Sequence, residues 1–201
     1  MATSHSEPIT VLVFATHNAH KAREIQDILG PGFAVRTLTD IGCQEEIPET
    51  EPTLEGNALL KARYVQTHFG LDCFAEDTGL EVEALQGAPG VHTARYAGES
   101  RDTQANMNLL LRNMTGLDTR RARFRTVIAL VQGAEERLME GICQGQIAQA
   151  PRGSGGFGYD PVFVPDGYGL TFAELDTAVK NTISHRAIAT EKLLAHLKSG
   201  T

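Results

Sequence analysis

The residues Ile9-Thr10-Val11-Leu12-Val13-Phe14-Ala15 form a β-rich apolar run, and shortly after it the apolar spacing changes to that of a helix. Ala22, Ile25, Ile28 and Leu29 share one helical face, Asn18 is placed to cap that helix, and Gly30-Pro31-Gly32 ends it. A buried strand feeding an amphipathic helix is the opening unit of an α/β sheet.

The same alternation continues along the chain. Thr53 reads as the cap of a second helix with Leu54, Ala58, Ala62, Val65 and Phe69 turned inward. Residues 71–75 read as a short strand running into a turn at Glu76-Asp77-Thr78-Gly79. Asp102 is placed to cap a third helix with Met107, Leu110, Leu111 and Met114 on its core face. Residues 122–131 and 138–148 read as an antiparallel hairpin turning near Gly133, residues 153–158 as a loop and 162–164 as a short strand. Ser184 begins the final helix, whose apolar side is Ile188, Leu193, Leu194 and Leu197. Strands alternating with helices, plus one hairpin, predict an α/β domain with a mixed sheet. One domain over residues 8–199 is expected, behind a flexible tail at residues 1–7.

Composition narrows the function. The net charge of −7 argues against a partner with a long nucleic-acid backbone, which a basic surface would grip. It leaves room for a small phosphorylated ligand held by a few placed cations. Three scattered cysteines, Cys43, Cys73 and Cys143, lack zinc or disulfide spacing. No stretch approaches the roughly 20 apolar residues of a membrane span, and the polar N-terminus has no secretory pattern. A cytoplasmic protein with reduced thiols is the expectation.

Five polar clusters stand out. Thr16-His17-Asn18-Ala19-His20-Lys21 links the first strand to the first helix. A helix N-terminus suits a phosphate, and a lysine there is at the wrong end of the dipole unless an anion joins it. A capped surface turn is the plain alternative. Asn57 and Lys61, four apart, lie beside the apolar stripe of the second helix, either to reach a ligand or as a solvated flank. Glu49 and Asp77 are acids that magnesium would suit, since it takes oxygen ligands and keeps phosphates and waters. A solvated acidic turn would look the same. In Gly153-Ser154-Gly155-Gly156-Phe157-Gly158-Tyr159-Asp160-Pro161 an aromatic stands among glycines, either to stack on a base or to fold back into the core. Lys180-Asn181-Thr182-Ile183-Ser184-His185-Arg186 again brings cations to a helix start.

Six ordered segments together resemble the inosine triphosphate pyrophosphatase family. They are Ala15 to Lys21, Asn57-Ala58 with Lys61-Ala62, Ala75 to Leu80, Gly87 to Val91 with Ala94-Arg95-Tyr96, Gly155 to Pro161, and Ile183 to Arg186. They span nearly the whole chain. The resemblance implies a two-lobed α/β protein around a long mixed β-sheet flanked by helices, and a homodimer. It implies that Thr16, His17, Asn18, Ala19, His20 and Lys21 form the phosphate-binding turn, with Lys61 a second phosphate cation. Asp77 takes the place of proton acceptor and Mg2+ ligand, and Glu49 that of the other metal-associated acid. Phe157, Gly158, Tyr159, Asp160, Lys180, His185 and Arg186 match positions that surround the base. Thr78 stands where the family usually has serine, Glu76 replaces a common aspartate, and His17 replaces a small or polar residue.

The reaction implied is attack of water on the α-phosphorus of a purine nucleoside triphosphate such as ITP, dITP or XTP, releasing the monophosphate and pyrophosphate. A related enzyme of other base preference and a nucleotide sensor that binds without cutting are the alternatives. The paired acids and lysines argue for the enzyme.

Overall fold

The computed structural model describes residues 9–199, so the expected tail at residues 1–7 lies outside the described residues. Twelve elements follow in chain order: β1 (Thr10–Phe14), α1 (Ala19–Leu29), β2 (Phe33–Arg36), α2 (Leu54–Phe69), β3 (Cys73–Val82), β4 (Pro89–Gly90), α3 (Thr103–Asn113), β5 (Arg121–Gln132), β6 (Glu135–Ile147), β7 (Phe163–Pro165), α4 (Thr177–Ile183) and α5 (His185–Ser199). The strands form one mixed seven-stranded sheet in the order β2-β1-β3-β5-β6-β7, with β4 alongside β3. β1 pairs in parallel with β2 and β3, and the remaining pairings are antiparallel.

The alternation of a strand sorts the core. Val127 and Ala129 of β5 face α2 with Ala58, Ala62 and Val65, while Ile128 and Leu130 face α1 and α5 with Ile25 and Leu193. A separate cluster at the far end of the long strands packs Leu80, Phe124 and Phe163 against Met107, Leu110 and Met114. The sheet thus carries two lobes, one on α1, α2 and α5 and the other on α3.

Most expected elements are present, and four helix starts fall where they were read. Asn18, Thr53 and Asp102 accept hydrogen bonds from the amides of their helices, and Ser184 Oγ accepts one from Ala187 N at 3.1 Å. The hairpin turns through Gly133 and Ala134. Three readings are corrected. Phe69, expected inward, is 36% exposed at the last residue of α2, beyond the core. The strand expected at residues 71–75 runs on to Val82, because β5 pairs with it from Cys73 to Val82. Glu76 and Asp77 therefore sit within a strand and not at its end. Gly79 is no turn residue: a Cβ there would meet the Gly90 carbonyl oxygen at 2.9 Å, so it admits β4. β2 and α4 are further elements without a clear apolar period of their own.

Candidate active site

β1 stops at Phe14 while its neighbour β3 continues, and the register Phe14↔Phe74 puts Glu76 and Asp77 just beyond the end of β1. The chain leaving β1 turns there into α1. Ligands of open α/β sheets bind outside the carboxyl ends of parallel strands, and here a cleft of about 450 Å³ opens at that point.

The turn is tightly wound. Thr16 Oγ1 accepts from Asn18 N at 3.1 Å, and Asn18 Oδ1 accepts from His20 N at 3.0 Å and Lys21 N at 3.1 Å. Two of the amides expected to be open to a phosphate are thus capped internally. The lysine at the unfavourable helix end also has an internal anion: Lys21 Nζ lies 3.0 Å from Glu76 Oε1. Thr16, His17, Asn18, His20 and Lys21 line the cleft, whereas Ala19 does not. His17 donates from Nε2 to the Glu45 carbonyl at 3.0 Å and fastens the turn to the segment before α2.

The acids and Lys61 meet on the α2 side. Lys61 Nζ donates to Glu49 Oε1 at 2.7 Å and to Asp77 Oδ1 at 3.2 Å. Asn57 Nδ2 donates to Asp77 Oδ2 at 3.1 Å, so both carboxylate oxygens of Asp77 are oriented. Asn57 and Lys61 are buried and not a solvated flank. Burial alone would lower the Lys61 pKa, yet Asp77 and Glu49 hold it above its ordinary value. Burial pushes the Asp77 carboxyl up, against the pull of Lys61, and the charge of Glu49 adds to the rise. Burial acts on Glu49 too, but its closer contact with Lys61 leaves it below the usual range.

The other end of the cleft is aromatic and cationic. Phe157 stacks on His20 with centroids 5.5 Å apart, and Lys180 Nζ and Arg186 Cζ lie 5.3 and 5.5 Å from its centroid. Gly156, at φ 69°, lets the loop pass Asp160, whose Oδ2 a Cβ would meet at 2.0 Å. Asp160 Oδ2 accepts from Phe157 N at 2.8 Å and from Lys180 Nζ at 2.7 Å, so it sets the loop. Lys180 is absent from the cleft wall: it stands one layer back, between Asp160 and Glu24. Tyr159 packs its ring into the core and donates its hydroxyl to the Thr93 carbonyl at 3.0 Å, closing the wall. Arg186 donates from Nε and Nη2 to Glu76 and from Nη1 to Glu24. His185 stacks on Phe124 at 4.5 Å, and burial first, then Arg186, keeps its pKa well below 6.5. Among the described residues its Nδ1 has no hydrogen-bond partner. Thr78 Oγ1 shares a hydrogen bond with Thr126 at 2.7 Å.

Glu24 is a site residue that the sequence reading missed. It ties α1 to Lys180 at 2.7 Å and to Arg186 at 2.6 Å. Its one signal was a position three residues after Lys21, one helical turn along the same face. Arg95, which lies 3.5 Å from Glu49, and Arg101, on the cleft wall, were likewise given no role.

The donor chemistry suits a divalent cation. Glu49 and Asp77 supply hard oxygen ligands, and the upward push of one carboxylate on the other is a repulsion that such a cation relieves. Among the described residues no group of three or more acids, histidines and cysteines could hold a metal by itself. A metal here would complete its shell with substrate phosphates and water, as magnesium commonly does.

Fold and cleft together define an α/β protein that gathers acids, cations and an aromatic ring where a parallel strand ends. The chain belongs to the Ham1 family, whose family model matches residues 12–196. A Porphyromonas gingivalis protein named dITP/XTP pyrophosphatase is 55% identical over 183 residues, covering 90% of this chain and 94% of its own. One from Christiangramia forsetii with the same name is 49% identical over 186 residues, covering 92% and 98%. The solved Staphylococcus aureus Ham1 protein superposes with a TM-score of 0.86 at 34% identity, covering 96% of this chain and 100% of its own. The resemblance drawn from six sequence segments is borne out. No helix among the described residues is long and apolar enough to cross a membrane.

Proposed function

We propose that this chain hydrolyses non-standard purine nucleoside triphosphates, ITP, dITP and XTP, to the monophosphate and pyrophosphate by water attack at the α-phosphorus. The observation that carries the reading is convergence: Asp77, Glu49, Lys61 and Lys21 line the same cleft as Phe157, His185 and Arg186. Relatives named dITP/XTP pyrophosphatase at about half identity over nine-tenths of the chain support it.

In this reading Asp77, held at Oδ2 by Asn57, orients the attacking water and takes its proton. Lys61 and Lys21 turn from their carboxylates to the charge that builds on the leaving pyrophosphate. Glu49 and Asp77 would hold Mg2+, which when bound would neutralise phosphate oxygens and lower the pKa of water. Phe157 stacks on the purine. Arg186 keeps part of its fork uncommitted by Glu76 and Glu24. A 6-oxo acceptor meets such a donor, and the 6-amino group of ATP does not. His17 and His20 flank the triphosphate, and Lys180, Asp160, Gly158 and Tyr159 shape the base end. A single catalytic domain over residues 8–199, a homodimeric state and a cytoplasmic setting complete the proposal.

Turnover of ITP, XTP, GTP and ATP with and without Mg2+, with pyrophosphate detected, tests substrate, reaction and metal together. Fast release from ITP and XTP only with Mg2+ is expected; release of orthophosphate alone, or equal rates on ATP, overturns the reading.

A further inference from the structure

Arg101 has a backbone φ of 53°, in the left-handed region that a long side chain rarely occupies. Such conformations persist where the surroundings impose them, and they collect at functional sites. Its amide closes a turn onto the Gly98 carbonyl at 3.3 Å, and the next residue, Asp102, caps α3 through Ala105 N. The turn and cap together fix the backbone and leave the guanidinium on the cleft wall.

Across the cleft the group meets Glu46, on the segment before α2, with Nη2 and Oε2 3.5 Å apart. The side chains are 47% and 78% exposed, so the pair is long, wet and weak. The other cleft cations differ. Lys21, Lys61 and Arg186 are each bound to carboxylates at 2.6–3.2 Å on side chains at most 20% exposed. A fork-shaped cation, held by a strained backbone at the mouth of a cleft and only loosely paired, is suited to exchange its partner for a phosphate.

We propose that Arg101 is a further polyphosphate-binding residue, resting on Glu46 until a triphosphate enters and then binding its outer phosphates. This rests on the nucleotide-cleaving reading above. It predicts effects of opposite sign at the two positions. Arg101→Ala should raise KM for ITP about ten-fold with kcat changed less than about three-fold, the loss of one contact of that size. Glu46→Gln should lower KM about two-fold, because Arg101 is freed, within the usual effect of an exposed pair. Arg101→Lys should recover part of the loss, having the charge without the fork. Arg101→Gly suits φ 53°, so it should fold at least as stably as the native chain while still losing affinity.

Calorimetric titration with inorganic triphosphate and with IMP separates this inference from the reading beneath it. Arg101→Ala and Arg101→Gly should bind inorganic triphosphate about ten-fold more weakly and IMP unchanged. Equal triphosphate affinity in native and variant proteins, or Glu46→Gln and Arg101→Ala shifting KM in the same direction, overturns the role of Arg101. A native protein that binds inorganic triphosphate through Arg101 but does not cleave ITP overturns the functional reading and not this one.

Discussion

Arg186 grips Glu76 across 110 residues of sequence through two parallel hydrogen bonds, Nε to Oε2 at 2.8 Å and Nη2 to Oε1 at 2.7 Å. Both side chains are buried, and the pair clamps the first turn of α5 to the interior of β3. Lys21 and Glu24 join it, so three elements distant in sequence are bound by charge beneath the cleft.

Glu76→Gln leaves the buried Arg186 and the half-buried Lys21 beside a neutral amide. Removing one partner of a buried pair costs about 3–5 kcal/mol, so the urea midpoint should fall well below that of the native chain with an unchanged slope. Arg63 and Glu136 make an equally short contact of 2.6 Å at the exposed surface. Arg63→Ala should not move the midpoint measurably, because exposed pairs are screened and loosely held. Equal midpoints for the two variants would show that the clamp does not stabilise the fold.

Stability should also respond to acid in a defined direction. Burial would raise Glu76 and Glu24, but Arg186 with Lys21 or Lys180 holds both below their ordinary 4.5. Carboxylates lowered on folding stabilise fully above their unfolded value, and the contribution is lost as pH falls through the folded one. Melting temperatures should therefore drop steeply below about pH 4.5, and Glu76→Gln should flatten that drop. A native curve level down to pH 3 would contradict it.

At Asp77 the sign is reversed. Its carboxyl lies above the ordinary 3.8, from burial first, and Lys61 is the main group opposing the rise. Carbon-13 titration of the Asp77 carboxyl in the metal-free protein should give a midpoint above 3.8, and Lys61→Met should raise it further. A downward move in that variant would remove Lys61 as its partner. Asp77→Asn should cut ITP turnover by at least about a hundred-fold, the low end for general-base loss, while calorimetry still detects nucleotide binding.

Phe157→Ala removes the ring beneath Lys180 and Arg186. Base stacking on an aromatic contributes about 1–3 kcal/mol, so KM for ITP should rise correspondingly while inhibition by inorganic triphosphate stays unchanged. An equal loss for both ligands would mean that the loop had collapsed and that stacking was not the cause.

Chelation should abolish turnover without lowering the melting temperature of the nucleotide-free protein, since among the described residues no three-ligand cluster exists for a metal to staple. Glu49→Gln should raise the Mg2+ concentration needed for half-maximal rate.

The helix starts were legible in the sequence because capping is local: Asn18, Thr53, Asp102 and Ser184 each bond amides within three residues. The length of β3 was not, since Glu76-Asp77-Thr78-Gly79 has the composition of a turn and is held straight by β5, some fifty residues away. Cations at helix starts were read as a sign of an anionic ligand, whereas the anions beside them in the structure are the chain's own Glu76 and Glu24, and no spacing rule pairs Arg186 with a residue 162 positions earlier. Lys61 and Asn57 looked half-solvated because helical periodicity places a residue on a face without revealing what covers it. Lys180 was read as one of the residues around the base, and its place behind Phe157 was not legible because it depends on α4, a helix of seven residues with little periodicity to read.

Successive side chains of a strand point to opposite faces, so β3 delivers Glu76 to α1 and α5 and its neighbour Asp77 to α2. Substitution can therefore retune one side of the cleft and spare the other. Changes of length are another matter: one residue inserted or deleted early in β3 would exchange the surroundings of the two acids at a stroke. Descendants of such a chain are free to vary their loops, but this strand must keep its count.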